Sequence, residues 1–359
     1  MSAKRNYSTD LLRCILMIMI TAHHIIVHTL DLKALGSGNV RPDQFPFSLF
    51  LLNSFCIIAV NAFFFISGYY SIKLKSKKIV LLYVEMVFYL FLWYLSMLLT
   101  KQFPLMSGRS LKYLFNVAFP ISTYWFMGAY FLLCILAPFV NEFIDSLDGE
   151  KQKKLLITLS VVAVVYGFIF DWDGIGRGHT FLHGLYMYFV GMLCRKNMEK
   201  LPKSKLLYLG IYLATSAAVA FAAFVMYRRS HSTLSWYIYS YNDPLIVLGA
   251  VALCLLFIIW DSYGPISEFS SRISKYVLAV YLITVNPAVV FYPVKKFMET
   301  HNSQPVVISS IIVYSIALFA VCIVIDLLRD KLFAAINRIL HLEDLYENIC
   351  NWYWWSTRL

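Results

Sequence analysis

Charge is scarce in this sequence: 14% of the 359 residues are Asp, Glu, Lys or Arg, against roughly 25% in a soluble domain. Acidic residues are the scarcer kind, 20 against 31 Lys and Arg, which leaves a formal net charge of +11. Long polar stretches are missing too. The connections between apolar runs reach only about 15–20 residues, too short for a soluble domain. Without a basic soluble module, nucleic-acid binding has no surface to use. GxSxG, P-loop and HExxH patterns are absent, so soluble hydrolase and NTPase chemistry lack their motifs. The seven cysteines lie mainly in or beside apolar runs. They show no CxxC or metal-ligand spacing, which indicates neither a disulfide framework nor a zinc site and leaves them as packing residues. No internal repeat or low-complexity stretch stands out, which weakens a transporter reading.

What is present is apolar: 60% of the residues are hydrophobic. Runs of 18 or more recur along the chain, each long enough to cross about 30 Å of hydrocarbon at 1.5 Å per residue. The expected spans are roughly 11–30, 47–70, 79–99, 120–140, 154–171, 180–194, 205–227, 243–260, 276–294 and 305–328. The sixth is short and the ninth contains Pro287. The fold class is therefore all-α, a polytopic membrane protein of the bacterial inner-membrane type with about ten transmembrane helices. The first apolar run is too long for a signal-peptide core and lacks a small-residue cleavage site, so it reads as a retained helix. Alternate loops carry roughly 20 and about 10 Lys and Arg, which places both termini, the Lys73–Lys78 loop and the Arg195–Lys205 loop in the cytoplasm. Most of the positive charge then serves topology and attraction to anionic lipid. The domain reading is a transmembrane domain over 1–328 and an interfacial cytoplasmic tail over 329–359. The tail has Leu332, Phe333, Ile336, Ile339 and Leu340 at helical spacing, followed by Trp352, Tyr353, Trp354 and Trp355.

Ionisable groups within apolar spans cost about 2.5–3.5 kcal/mol on insertion scales and need a reason. At about 100° per residue, Asp10, Arg13, Met17, Thr21, His24 and His28 share one stripe of the first helix, whereas His23 falls about 220° from Asp10. His23 should meet lipid headgroups or a neighbouring helix. Arg13 and His24 are separated by about 16 Å along the axis. Two readings stay open: a local i,i+3 pair with histidines capping the outer end, or a polar seam with an anion-binding cation at the inner mouth and a titratable base deeper in. The shared face favours the second.

The second span ends in Ser67-Gly68-Tyr69-Tyr70, followed by Lys73, Lys75, Lys77 and Lys78. Ser-Gly permits close helix packing. The lysines serve topology alone or hold the phosphates of a nucleotide-type donor. Tyr124-Trp125-Phe126 is an interfacial belt or a sugar-stacking platform. His179 and His183 are spaced to meet on one helix face, yet without a third ligand they are thin evidence for metal. Asn242, Pro244, Asn286 and Pro287 mark helix irregularities.

These segments resemble the acyltransferase-3 family of integral-membrane acyltransferases, especially bacterial polysaccharide and lipid-linked-sugar O-acetyltransferases. The first-helix pattern Asp-x-x-Arg, with His after ten intervening residues, is matched by Asp10, Arg13 and His24. The aromatic run ending in Ser-Gly is matched by Phe63-Phe64-Phe65-Ile66-Ser67-Gly68-Tyr69. Tyr124-Trp125-Phe126 with Pro138, Gly191 before Arg195, Tyr241-Asn242-Asp243-Pro244 and Val280-Tyr281-Leu282-Ile283 look like weaker landmarks. One departure is Thr284, where related sequences often carry His after Tyr-Leu-Ile. The chain also lacks the C-terminal esterase-like domain that some members append.

The resemblance implies a donor substrate, acetyl-CoA or another acyl-CoA, reaching the protein from the cytoplasm, with no permanently bound cofactor and no metal. The acceptor would be a hydroxyl of an envelope polysaccharide or lipid-linked saccharide. His24, Arg13 and Asp10 would be catalytic. His24 would act as general base or acyl-carrying nucleophile, Arg13 would hold donor phosphate or carbonyl, and Asp10 would orient Arg13. Ser67 and the four lysines would bind the donor; Tyr124, Trp125 and His28 would meet the acceptor. The rival class is a secondary transporter or flippase for a glycan precursor, with the ion pair and histidines as its path.

Overall fold

The computed structural model describes residues 6–30, 46–73, 76–102, 104–171, 176–229, 237–261, 263–284, 286–301 and 303–340. Every regular element among them is helical: α1 (Tyr7–Thr29), α2 (Phe47–Ile57), α3 (Ala59–Tyr69), α4 (Ser76–Leu99), α5 (Gly108–Ala118), α6 (Trp125–Ser146), α7 (Gly149–Val161), α8 (Phe181–Lys196), α9 (Lys205–Arg228), α10 (Pro244–Trp260), α11 (Pro265–Ile273), α12 (Val277–Ile283), α13 (Pro287–Val290), α14 (Tyr292–Thr300) and α15 (Gln304–Leu340). An all-helical, multi-pass membrane protein is thus what the apolar periodicity encodes.

Among the described residues, seven helices are long and apolar enough to cross a membrane, or eight if the bent pair Pro244–Trp260 and Pro265–Ile283 counts as one crossing. The difference from ten has identifiable causes. The expected sixth span is α8, whose 16 residues fall short of the usual 17–25 or so. The expected ninth is interrupted, because α12 ends at Ile283 and α13 restarts at Pro287, whose ring removes a backbone donor. The expected second span is two helices meeting at Ile58, and together they make one crossing, Phe47–Tyr69. The fifth continues from α7 as a π-helix, Val162–Ile169.

The chain divides into two compact units. Unit 1 comprises Met1–Ser71 and Leu147–Ile323; unit 2 comprises Ile72–Ser146 and Val324–Leu359. In unit 1, α1 packs against α2, α3, α10, α11 and α12, α3 runs along α8, and α9 runs along α2 and α10. Glycines set the α3–α8 spacing. A Cβ on Gly68 would stand 1.9 Å from the carbonyl oxygen of Tyr188, and one on Gly191 would stand 2.2 Å from that of Phe65. The helices therefore meet backbone to backbone, as small residues allow in a medium where packing replaces hydrophobic driving force.

In unit 2, α4 packs on α5. The Tyr94 and Ser110 hydroxyls are 3.0 Å apart, and Tyr83 donates to the carbonyl of Ala118. Asn141 Nδ2 donates to the Ile72 carbonyl at 3.1 Å. Phe91, Leu92 and Leu95 on α4 are exposed, as are Leu213 and Phe221 on α9 in unit 1, which suits faces turned to lipid. The last helix runs unbroken through the expected boundary at 328 to Leu340; Trp352, Tyr353, Trp354 and Trp355 lie outside the described residues.

Candidate active site

α1 begins at Asn6, whose side chain accepts the Thr9 amide at 3.0 Å. Asp10 lies buried in the first turn, where the positive end of the helix dipole favours a carboxylate. Its Oδ1 accepts Arg13 Nη1 at 2.8 Å. The Arg13 side chain is 35% exposed, and its guanidinium carbon stands 5.9 Å from the centre of the Tyr70 ring. The Tyr70 hydroxyl is 2.8 Å from Thr9 Oγ1. The end of α3 thus holds a tyrosine against the start of α1, and the ion pair keeps one side open.

Further along the stripe, Met17 and Thr21 are buried, and Thr21 Oγ1 donates to the Met17 carbonyl at 3.0 Å. His24 is half-buried and His28 exposed. The His24 ring centre is 5.8 Å from that of His28 and 6.4 Å from that of Tyr281 on α12. His23 turns away into the protein. It is 8% exposed, and its Nδ1 lies 2.7 Å from Asn53 Oδ1 on α2. Adjacent histidines on a continuous helix point about 100° apart, so one reaches α2 and the other the Tyr281 side. Of the two environments open to His23, the neighbouring helix is the one it occupies.

Tyr281 is the site residue that spacing left as part of a landmark. Thr284, at the end of α12, is buried and donates to the Tyr281 carbonyl at 3.2 Å. The Thr284 hydroxyl is therefore engaged within its own helix.

The residues expected to bind the donor are placed as follows. Ser67 is half-buried and donates to the Phe63 carbonyl at 2.8 Å. Outside that expected set, Arg195, in the last turn of α8, donates to the Tyr69 carbonyl at 3.3 Å. Lys73 and Lys78 are exposed. Lys75 and the side chain of Lys77 lie outside the described residues. Of the residues expected to meet the acceptor, Tyr124 is buried and Trp125 half-buried at the start of α6. Tyr124, Trp125, Lys73 and Lys78 belong to unit 2, whereas Asp10, Arg13, His24, His28 and Ser67 belong to unit 1.

His179 and His183 do not pair as ligands. His179 precedes α8, with its ring centre 4.7 Å from that of Tyr241. His183 is buried inside α8, where its Nε2 lies 2.8 Å from Asn61 Oδ1. Asn61 Nδ2 in turn donates to the Tyr241 carbonyl at 2.7 Å. This His183–Asn61–Tyr241 chain joins residues 122 and 180 positions apart, beyond the reach of any local pattern. Among the described residues no three His, Cys, Asp or Glu side chains are grouped to hold a metal ion.

An ion pair and a half-buried imidazole thus share one face of the first long apolar helix of this multi-pass protein. The family model for an acyltransferase domain, that of the acyltransferase-3 family, matches residues 6–329. The chain belongs to the acyltransferase-3 family and is a membrane acyltransferase. No curated protein and no solved structure matches it.

Proposed function

We propose that this protein moves an acyl group, in the first instance acetyl, from cytoplasmic acyl-CoA to a hydroxyl of a cell-envelope glycan or lipid-linked sugar, in the bacterial inner membrane. The observation that carries this reading is the placement of His24, half-buried beside Tyr281, on the same face of α1 as the Asp10–Arg13 pair. About 16 Å along the axis separates Arg13 from His24, a distance that the extended pantetheine arm of acyl-CoA can bridge. Arg13, charged at every relevant pH, receives donor phosphate at the inner mouth, and Asp10 fixes its position. Lys73, Lys75, Lys77 and Lys78 supply further cations for the donor.

At the other end His24 takes the proton of the acceptor hydroxyl as its oxygen attacks the thioester carbonyl. The new C–O bond forms, the C–S bond breaks, and CoA thiolate leaves with the proton that His24 held. The two-step alternative, in which His24 itself carries the acyl group, uses the same geometry. His28, exposed one turn beyond His24 on α1, meets the sugar. Both termini and the Lys73–Lys78 loop face the cytoplasm on the loop charge asymmetry.

Purified protein in nanodiscs, given labelled acetyl-CoA and envelope glycan, should release CoA and add one acetyl mass to the glycan. Acceptor-dependent CoA release that is absent with His24→Ala is the expected result. Glycan transport without CoA release would overturn the reading.

A further inference from the structure

Unit 2 holds a second buried group of charges that acyl transfer, as proposed, does not use. Glu85 and Tyr89 stand one turn apart on α4; Asp326 and Arg329 stand one turn apart on α15. Tyr89 donates to Asp326 Oδ1 at 2.7 Å, Arg329 Nε donates to the same oxygen, and Arg329 Nη2 stands 3.6 Å from Glu85 Oε1. Asp326 is fully buried, and the side chains of Glu85 and Arg329 are 15% and 14% exposed. Asp326 Oδ2 is buried with no hydrogen-bond partner among the described residues. Glu85 lies about 13 Å along the helix from the start of α4, well within its apolar stretch.

The groups acting on this cluster are Glu85 and Tyr89 from α4 and Asp326, Arg329 and Asp330 from α15. Among the described residues acting on it, Arg329 is the sole cation. Two carboxylates in contact with one guanidinium carry a net charge of minus one, and Asp330 adds to the negative field. An uncompensated charge in a low-dielectric interior is strongly disfavoured. The unpartnered Asp326 oxygen marks where a compensating charge belongs.

We infer that the Glu85–Asp326 pair is a binding site for one monovalent cation, a proton or a sodium ion, which completes the neutralisation begun by Arg329 and holds α4 to the last helix. The site is independent of the acyl-transfer reading, because its test needs no activity.

The experiment uses the full chain in phosphatidylcholine nanodiscs, with thermal unfolding followed in choline chloride from pH 6 to pH 9. The wild type should lose about 5 °C over that range, since stability that rests on a bound proton disappears as the carboxyl ionises. Glu85→Gln removes the surplus negative charge and should abolish most of that loss. Sodium chloride added to the wild type at pH 9 separates the two cations: recovery identifies sodium, and no recovery identifies the proton. Equal pH dependence in the wild type and Glu85→Gln, with no response to sodium in either, overturns the site. If Glu85→Gln does not fold, Asp326→Asn makes the same measurement. Failure of both neutral variants to fold, while Arg329→Gln folds, overturns it as well, because the inference makes loss of negative charge benign and loss of positive charge harmful.

Discussion

In unit 1 two buried histidines meet amides, His23 with Asn53 and His183 with Asn61, and the Asp10–Arg13 ion pair is confined to the first turns of α1. In unit 2 carboxylates meet an arginine, Asp326 and Glu85 around Arg329. An imidazole–amide pair can join two helices without a net charge in the apolar interior. An ion cluster holds helices with stronger bonds but is sensitive to any change in its charge count. The imidazole–amide pairs lie in the unit that carries His24. The ion cluster lies in the unit that carries the exposed Lys73 and Lys78. Unit 1 also depends on close backbone contact, so its weak points are steric.

That contrast can be broken most severely at the α3–α8 contact. Gly68→Ala places a methyl group against the Tyr188 backbone, which cannot yield as a side-chain end would. A loss of about 3 kcal/mol or more is expected, read as loss of the monodisperse peak in detergent. Gly210→Ala on α9, where a Cβ meets nothing within 4 Å, is the control and should fold normally. Next comes His24→Ala, expected to lower acyl transfer at least about 10²-fold with normal membrane insertion.

His23→Ala sharpens the comparison, because it leaves the Asn53 carbonyl oxygen buried without its donor. About 1–3 kcal/mol of stability should be lost, while turnover per folded molecule stays near that of the wild type. Should His23→Ala abolish transfer and His24→Ala leave it intact, the assignment of faces on α1 is wrong. The smallest effect is expected on the donor side. Lys73→Gln with Lys78→Gln should raise donor KM severalfold and weaken its salt dependence, with little change in kcat. An unchanged KM assigns these lysines to topology alone.

Much of this was legible in the chain. The apolar runs located the long helices, and the 3.6-residue period placed Arg13 and His24 on one face and His23 on another. It reads the Asp10–Arg13 pair correctly because i,i+3 neighbours on one helix interact through local geometry. What stayed hidden depends on distant partners. Asn53 and Asn61 look like stray amides in an apolar run until α1 and α8 bring histidines to them. Tyr281 gains its place beside His24 only through α1–α12 packing. The short helices α5 and α11 fall between the expected spans and α14 runs on past the end of one, because segments of 11 residues or fewer give too little periodicity to separate from a loop.

Both units are discontinuous along the chain, and the last helix supplies part of each. Tyr89 and Asp326 are separated by 237 positions, which at about 5–20 residues per second corresponds to roughly 12–50 s of synthesis. During that interval α4 enters the membrane with Glu85 before its arginine exists. An unmatched ionisable group in the membrane is costly, so α4 should be held less firmly in place until α15 is made. Yield in the cell should accordingly depend on how quickly translation reaches Arg329.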